Sequence, residues 1–226
     1  MAITVEGLIK KVRIAIDEIV DGHDVDSSFT TDLDTEIEQA LWVAARGLLA
    51  ELPPSMVPCV TLTNSDITVH KKNSDGSGQI GVDDNFLRLV ELRLSTWKNS
   101  VWALMEPDSN EAKMQASEWT RGTPEKPRAM MGEGVSVTGQ QGGESQTVSC
   151  KRSIKYWTAG KVSGAYDHTV EVLAYVKDLD DTADEADLLA LAAAHQSRLV
   201  YRAAGVVMEG KQHGDLADRF YKLSEG

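Results

Sequence analysis

Asp32-Leu33-Asp34-Thr35-Glu36-Ile37-Glu38-Gln39-Ala40-Leu41-Trp42-Val43-Ala44-Ala45-Arg46-Gly47-Leu48-Leu49-Ala50-Glu51-Leu52-Pro53-Pro54 decides how the rest of the chain is read. Leu33, Ile37, Leu41, Ala44, Ala45, Leu48 and Leu52 recur at helical spacing and predict a helix from about Asp32 to Glu51. Pro53-Pro54 stops it, because proline has no N–H to continue the ladder. Upstream, Leu8, Val12, Ile16 and Ile19 form one apolar stripe behind Thr4, a plausible N-cap, and Asp21-Gly22-His23-Asp24 breaks that first helix. The same period returns near the C-terminus. There Thr182-x-x-Glu185 reads as a capping box, Leu188, Leu191, Leu199, Ala203 and Val206 make a stripe, and Asp215 to Leu223 predicts a last short helix.

Between these helices the texture changes. Pro58 to Leu62, Ile67 to His70 and Ile80 to Val82 predict short strands, with Asn73-Ser74-Asp75-Gly76-Ser77-Gly78 as a turn. Val90, Leu92 and Leu94 alternate with charged or polar neighbours, the period of a half-buried strand, and Val101 to Met105 should pair nearby. Asp108-x-x-Glu111 predicts a capped short helix. Thr147 to Ile154 and His168 to Val176 add strands, while the glycine- and glutamine-rich stretch from Gly132 to Ser145 reads as a mobile or partner-ordered loop. The expected class is therefore α+β. Residues 1–56 and 183–226 form a helical bundle, and 57–182 form a large β-rich insertion.

With 226 residues, 42% apolar and 26% charged, the chain can bury a core of its own. A formal net charge of -12 argues against neutralising nucleic-acid phosphates and against docking on an anionic membrane. It leaves room for DNA to pass a repulsive wall without sticking. Cys59 and Cys150 fit no metal spacing and no disulfide framework. The N-terminus lacks the charged and apolar regions of a signal peptide, and the longest apolar run, Leu188 to Ala194, is too short to span a bilayer. A soluble intracellular chain is the expectation.

The chemical motifs are weak. Gly76-Ser77-Gly78-Gln79-Ile80-Gly81 matches a dinucleotide-binding pattern in letters, but a β pattern follows where a helix should open, so it reads as a glycine-rich hairpin. Asn73-x-Asp75-Gly76 resembles the start of a calcium loop without its closing glutamate. Asp21, Asp24, Asp26 and His23 form an acidic knot best read as a solvated loop. His23, His70, His168, His195 and His213 are scattered, and His195 reads as a polar-face or interface residue. No cofactor or metal site is expected. An acidic band, Asp178, Asp180, Asp181 and Asp184, precedes the C-terminal helix, where negative charge is favoured and where it could also face a lumen. Trp97, Trp102, Trp119 and Trp157 all fall in the β block, and at least one is expected at an interface.

One region resembles a known family. Phe86-Leu87-Arg88-Leu89-Val90-Glu91-Leu92-Arg93-Leu94 leads to Trp97 and Val101, then to Met114-Gln115, then to Thr120-Arg121-Gly122-Thr123-Pro124-Glu125-Lys126-Pro127. This is similar to the central segment of neck ring proteins, the head–tail connectors or adaptors of podovirus-like and crAss-like tailed phages. There a strand ending in Trp precedes a short Gln-bearing helix and an R-G-x-x-x-K-P turn. The two N-terminal helices ending at a double proline and the alanine-rich C-terminal helix pair agree in outline. Gly132 to Ser145 has no counterpart.

The resemblance implies a non-enzymatic virion protein. It would form a homo-oligomeric ring, about twelve-fold, between portal and tail proteins, closed by heterologous contacts. Genomic DNA would pass through it without sequence-specific binding, and the subunit would be made in the bacterial cytoplasm. Arg121, Lys126 and Arg128, with Arg88 and Arg93, would be the cationic contacts, and Trp119 and Trp157 the aromatic anchors. The alternative from another class is a small phage-encoded module that binds a host factor. An enzyme with a site assembled from distant residues is a third possibility.

Overall fold

A computed structural model describes residues 3–19, 30–117, 119–141, 144–157, 167–179 and 184–225. The fold is α+β, with helices at both ends of the chain and a β region of two antiparallel sheets between them. The chain divides into two compact units, Met1–Pro58 with Asp178–Gly226, and Cys59–Lys177.

The first unit is helical. It contains α1 (Val5–Ile19), α2 (Thr30–Glu51), α4 (Glu185–Gly210) and α5 (Gly214–Glu225). Thr4 caps α1, its Oγ1 accepting from Gly7 N–H at 3.1 Å. Leu8 and Val12 on α1, Ile37, Leu41, Ala44 and Ala45 on α2, and Leu188, Leu191, Leu199 and Ala203 on α4 lose all access to solvent. α4 packs against each of the other three helices, so it is the post around which this unit is built. Small residues allow the close approaches. A Cβ at Gly47 would come within 2.8 Å of the Arg202 guanidinium, and one at Gly205 within 2.7 Å of the Tyr221 ring. Over Gly47, Arg202 meets both Glu51 oxygens, at 2.6 and 2.5 Å.

α4 is not straight. His195 leaves the helical region, at φ -133 and ψ 36, and its Nε2 lies 2.7 Å from the Met56 carbonyl. Val206, expected on the apolar stripe, is half-buried, and Val207 is buried instead. The helix ends in a Schellman motif. Gln212, at φ 63, donates its N–H to Glu209 O, and His213 donates to Met208 O.

The second unit holds β1 (Val60–Leu62), β2 (His70–Lys72), β3 (Gly78–Val82), β4 (Phe86–Leu94), α3 (Asn110–Met114), β5 (Arg128–Gln141), β6 (Glu144–Trp157) and β7 (Val170–Lys177). One sheet runs β1-β7-β4 and the other β2-β3-β6-β5, every pairing antiparallel. Ile80, Phe86, Leu92, Leu94, Ile154, Tyr156, Leu173 and Tyr175 from the two sheets share one apolar core. The Gly76–Gly81 motif lies in the β2–β3 hairpin and β3 itself. Gly76 supplies a φ of 83 for the turn, and Gly78 lets β3 pass under the Tyr156 hydroxyl.

Several sequence expectations need correction. β4 does not alternate. Phe86, Leu89, Leu92 and Leu94 are its buried residues while Val90 is half-buried, because three register shifts against β7 rotate the strand between them. The short helix is capped by Ser109, whose Oγ accepts from Ala112 N–H at 3.2 Å, rather than by Asp108. The strand expected at Ile67–His70 begins at His70. Gly132 to Gln141 and Glu144 to Ser145 are paired strand, not loop. The Thr182 cap and the Asp21–Asp26 knot lie outside the described residues.

The division also sorts the charge. The helical unit contains 21 acidic and 9 basic residues, and the β unit 14 of each, so the whole net charge of -12 belongs to the helical unit.

Candidate functional site

The segment joining β4 to β5 carries three exposed large apolar side chains: Trp102 at 63%, Met114 at 50% and Trp119 at 95%. Its backbone is held at several points. Leu92 and Val101 exchange two hydrogen bonds of 2.8 Å, and Met105 donates to Ala129 O at 2.9 Å. Buried Gln115 closes the part that bears Trp119. Its Nε2 donates to Glu111 O at 2.9 Å, and its Oε1 accepts from Gly122 N–H at 2.7 Å. Thr120 Oγ1 donates to Met114 O at 2.5 Å and Arg121 N–H to Ser117 O at 3.0 Å. Trp119 is therefore an exposed indole on a braced loop. Such a residue gives up little freedom when a protein surface covers it.

The other expected interface residues fare differently. Trp157 is 6% exposed, with Lys155 Nζ 5.0 Å from its ring centre, so in the monomer it is a core residue and not a surface anchor. Arg121 does not project. Its side chain folds back to Asp75 at 3.3 Å and keeps 14% exposure, a turn-to-turn brace. Arg128 is exposed, 3.9 Å from Glu111, and Lys126 is exposed at the end of a tight turn in which it and Thr123 exchange backbone hydrogen bonds. Arg93 pairs with Glu171 at 3.0 Å across the β4–β7 ladder. Asp75, which opened the supposed calcium loop, spends Oδ1 on Ser77 N–H and Oγ–H, at 3.0 and 2.7 Å. The Ser77 bonds, with Arg121 beside it, hold its carboxyl below the usual carboxylate range.

Of the acidic residues expected at the start of the C-terminal helix, the structure describes two. Asp178 lies 3.7 Å from Arg46 Nε, Asp184 is 7% exposed at the start of α4, and Asp180 and Asp181 lie outside the described residues. Burial removes Asp184 from any lumen-facing stripe.

No protein-family model matches this chain. No curated protein matches it either. Among the described residues no helix is long and apolar enough to cross a membrane, and no three His, Cys, Asp or Glu side chains group where they could hold a metal ion.

One polar cluster escaped the sequence reading. The Tyr156 hydroxyl lies between His70 Nε2, at 2.8 Å, and His168 Nε2. Tyr156 and His168 are buried, with Trp97 packed edge-on against the tyrosine ring at 6.0 Å. A phenol has one hydrogen to give, so it donates to one imidazole and accepts N–H from the other. Protonating one imidazole keeps this pattern, whereas protonating both leaves the phenol hydrogen without an acceptor. Burial, then the charges of His168 and Lys72, lower the His70 pKa from 6.5 to about 4, and burial raises that of Tyr156. Histidines 98 residues apart carry no local spacing signal, so nothing in the letters could have joined them.

Proposed function

We propose that this chain is a structural assembly protein, the subunit of a homo-oligomeric connector ring between the portal and tail of a phage particle, performing no catalysis. The observation that carries the reading is Trp119, 95% exposed on a loop braced by Gln115, Thr120 and Arg121. Interface centres are enriched in tryptophan, and the hydrogen bonds of this loop lower the cost of ordering it on contact.

Two further features support it. The residues that resemble the neck ring segment, Met114-Gln115 and Arg121 to Pro127, are the ones that brace and flank Trp119. The segregation of net charge favours contacts through the neutral β unit, since two helical units at -12 repel one another. The surplus negative charge of the helical unit also keeps passing DNA from adhering to that unit.

Negative-stain microscopy of the purified chain, alone and mixed with candidate portal, tests the proposal. Rings, or rings formed only on the portal, are the expected result. A concentration-independent monomer that ignores portal would overturn it and favour the host-factor module, which uses the same exposed indole for a different partner.

A further inference from the structure

The β5–β6 ribbon is longer than the sheet that holds it. β3 pairs with β6 only at Arg152 to Tyr156. The hairpin continues beyond that for seven consecutive pairs, from Val135↔Cys150 to Gln141↔Glu144, with no change of register. At about 3.4 Å per residue this is roughly 24 Å of two-stranded ribbon. Met105 covers the outer edge of β5 near Ala129 and Met130. Past Glu133, no strand among the described residues pairs with the outer edge of either ribbon strand. Ser136, Thr147, Val148 and Ser149 are exposed there.

Two properties make this unusual. A lone two-stranded ribbon is marginal in water, since three strands or a covering layer are needed to hold it. Exposed edges are also normally protected by charge, proline or bulges. Between Glu133 and Lys151 the sequence contains no proline and a single charge, Glu144, and the ladder is unbulged. Among the described residues the ribbon therefore presents two unpaired edges, one on β5 and one on β6.

We infer that the ribbons of neighbouring copies pair edge to edge, β5 of one copy against β6 of the next, so that a ring of subunits closes a continuous β-barrel. The contact is heterologous, because the two edges differ. Repeated by rotation it leaves no edge open, which is the condition for a closed ring. A β5-to-β5 contact would instead stop at a dimer. Each copy contributes two strands, so a ring of about twelve gives about two dozen, wider than the 16–18-stranded porins that already enclose an aqueous channel. The wall would be nearly uncharged. The inference rests on the assembly proposed above and names the segment that closes it.

The test combines native mass spectrometry with amide hydrogen exchange on the full chain, and on a variant in which Ser136–Ser149 is replaced by Asn-Gly. Val135, which is buried, is retained so that the core is untouched. The expected result is a ring in which amides of residues 136–149 exchange at least about tenfold more slowly than in the diluted monomer. The shortened variant should keep the monomer's melting temperature and fail to close rings. Rings whose ribbon amides exchange as in the monomer, or a shortened variant that closes rings equally well, would overturn the barrel while leaving assembly standing. A parent chain that associates neither alone nor with candidate portal overturns both.

Discussion

His70 Nε2 stands 2.8 Å from the hydroxyl of Tyr156, and the same hydroxyl reaches His168, so one phenol bridges two imidazoles, donating to one and accepting from the other. Desolvation, followed by the charges of His168 and Lys72, sets the His70 pKa at about 4 against 6.5 in the unfolded chain. Between those values the unfolded chain binds the extra proton, so stability rises with pH across that window and falls as pH drops through it. Below about 4 both states are protonated and this group's effect levels off. The urea midpoint, followed by fluorescence of buried Trp97, should therefore fall from pH 6.5 toward 4, and His70→Phe should flatten that slope. An unchanged slope would show that the pH dependence comes from other groups.

Gly78 and Gly210 should respond oppositely to alanine. A Cβ at Gly78 would meet Tyr156 Oη at 2.1 Å and Lys71 O at 2.6 Å, with backbone on one side and a hydrogen-bonded ring on the other. Gly78→Ala is expected to cost about 3 kcal/mol by overpacking. At Gly210, near the end of α4, a Cβ meets nothing within 4 Å. Gly210→Ala should be neutral or stabilise by up to about 1 kcal/mol through the lost freedom of the unfolded chain. Denaturant midpoints at constant m decide both.

Trp119 and Gln115 separate display from bracing. Trp119→Ala removes a side chain that touches almost nothing in the monomer, so the melting temperature should hold while assembly is lost or weakened by tenfold or more, about 1.4 kcal/mol and above. Gln115→Ala leaves the buried Gly122 N–H without its acceptor and should cost about 1–3 kcal/mol. It should also speed hydrogen exchange over 115–122. Intact assembly in the Trp119 variant, by sedimentation, would remove that residue from the interface.

Gln212 occupies the left-handed position of a helix end that glycine fills without strain. Gln212→Gly should stabilise the helical unit by about 1 kcal/mol, read as a higher melting temperature. A lower one would mean that the side chain compensates for its backbone.

Much of the fold could be read from the letters, because helices announce themselves locally. Leu8, Val12, Leu41, Leu48, Leu188 and Leu199 share one period, and all are buried as that period implies. The β unit was legible in class but not in detail. β4 reads as alternating, yet three register shifts against β7, a strand some 80 residues away, change which residues are buried. The Gly132–Ser145 stretch reads as loop because Gly and Gln have poor strand propensity, and thirteen cross-strand pairs of the β5–β6 ladder override it. Among the site residues, the exposure of Trp119 was legible because a modest β block has little core to absorb several tryptophans. Trp157 was not, because its burial depends on where β6 sits, and Arg121 turned inward to an Asp75 whose nearness no spacing reveals.

The confinement of all twelve surplus negative charges to one of the two units makes ionic strength a selective control. At physiological salt, fields reach only about 8 Å beyond a charged surface, and dilution lengthens that reach several-fold. Lowering the buffer's salt would thus drive neighbouring helical units apart while leaving the electrically balanced half indifferent. Salt dependence would therefore report on the helical unit and not on the β unit.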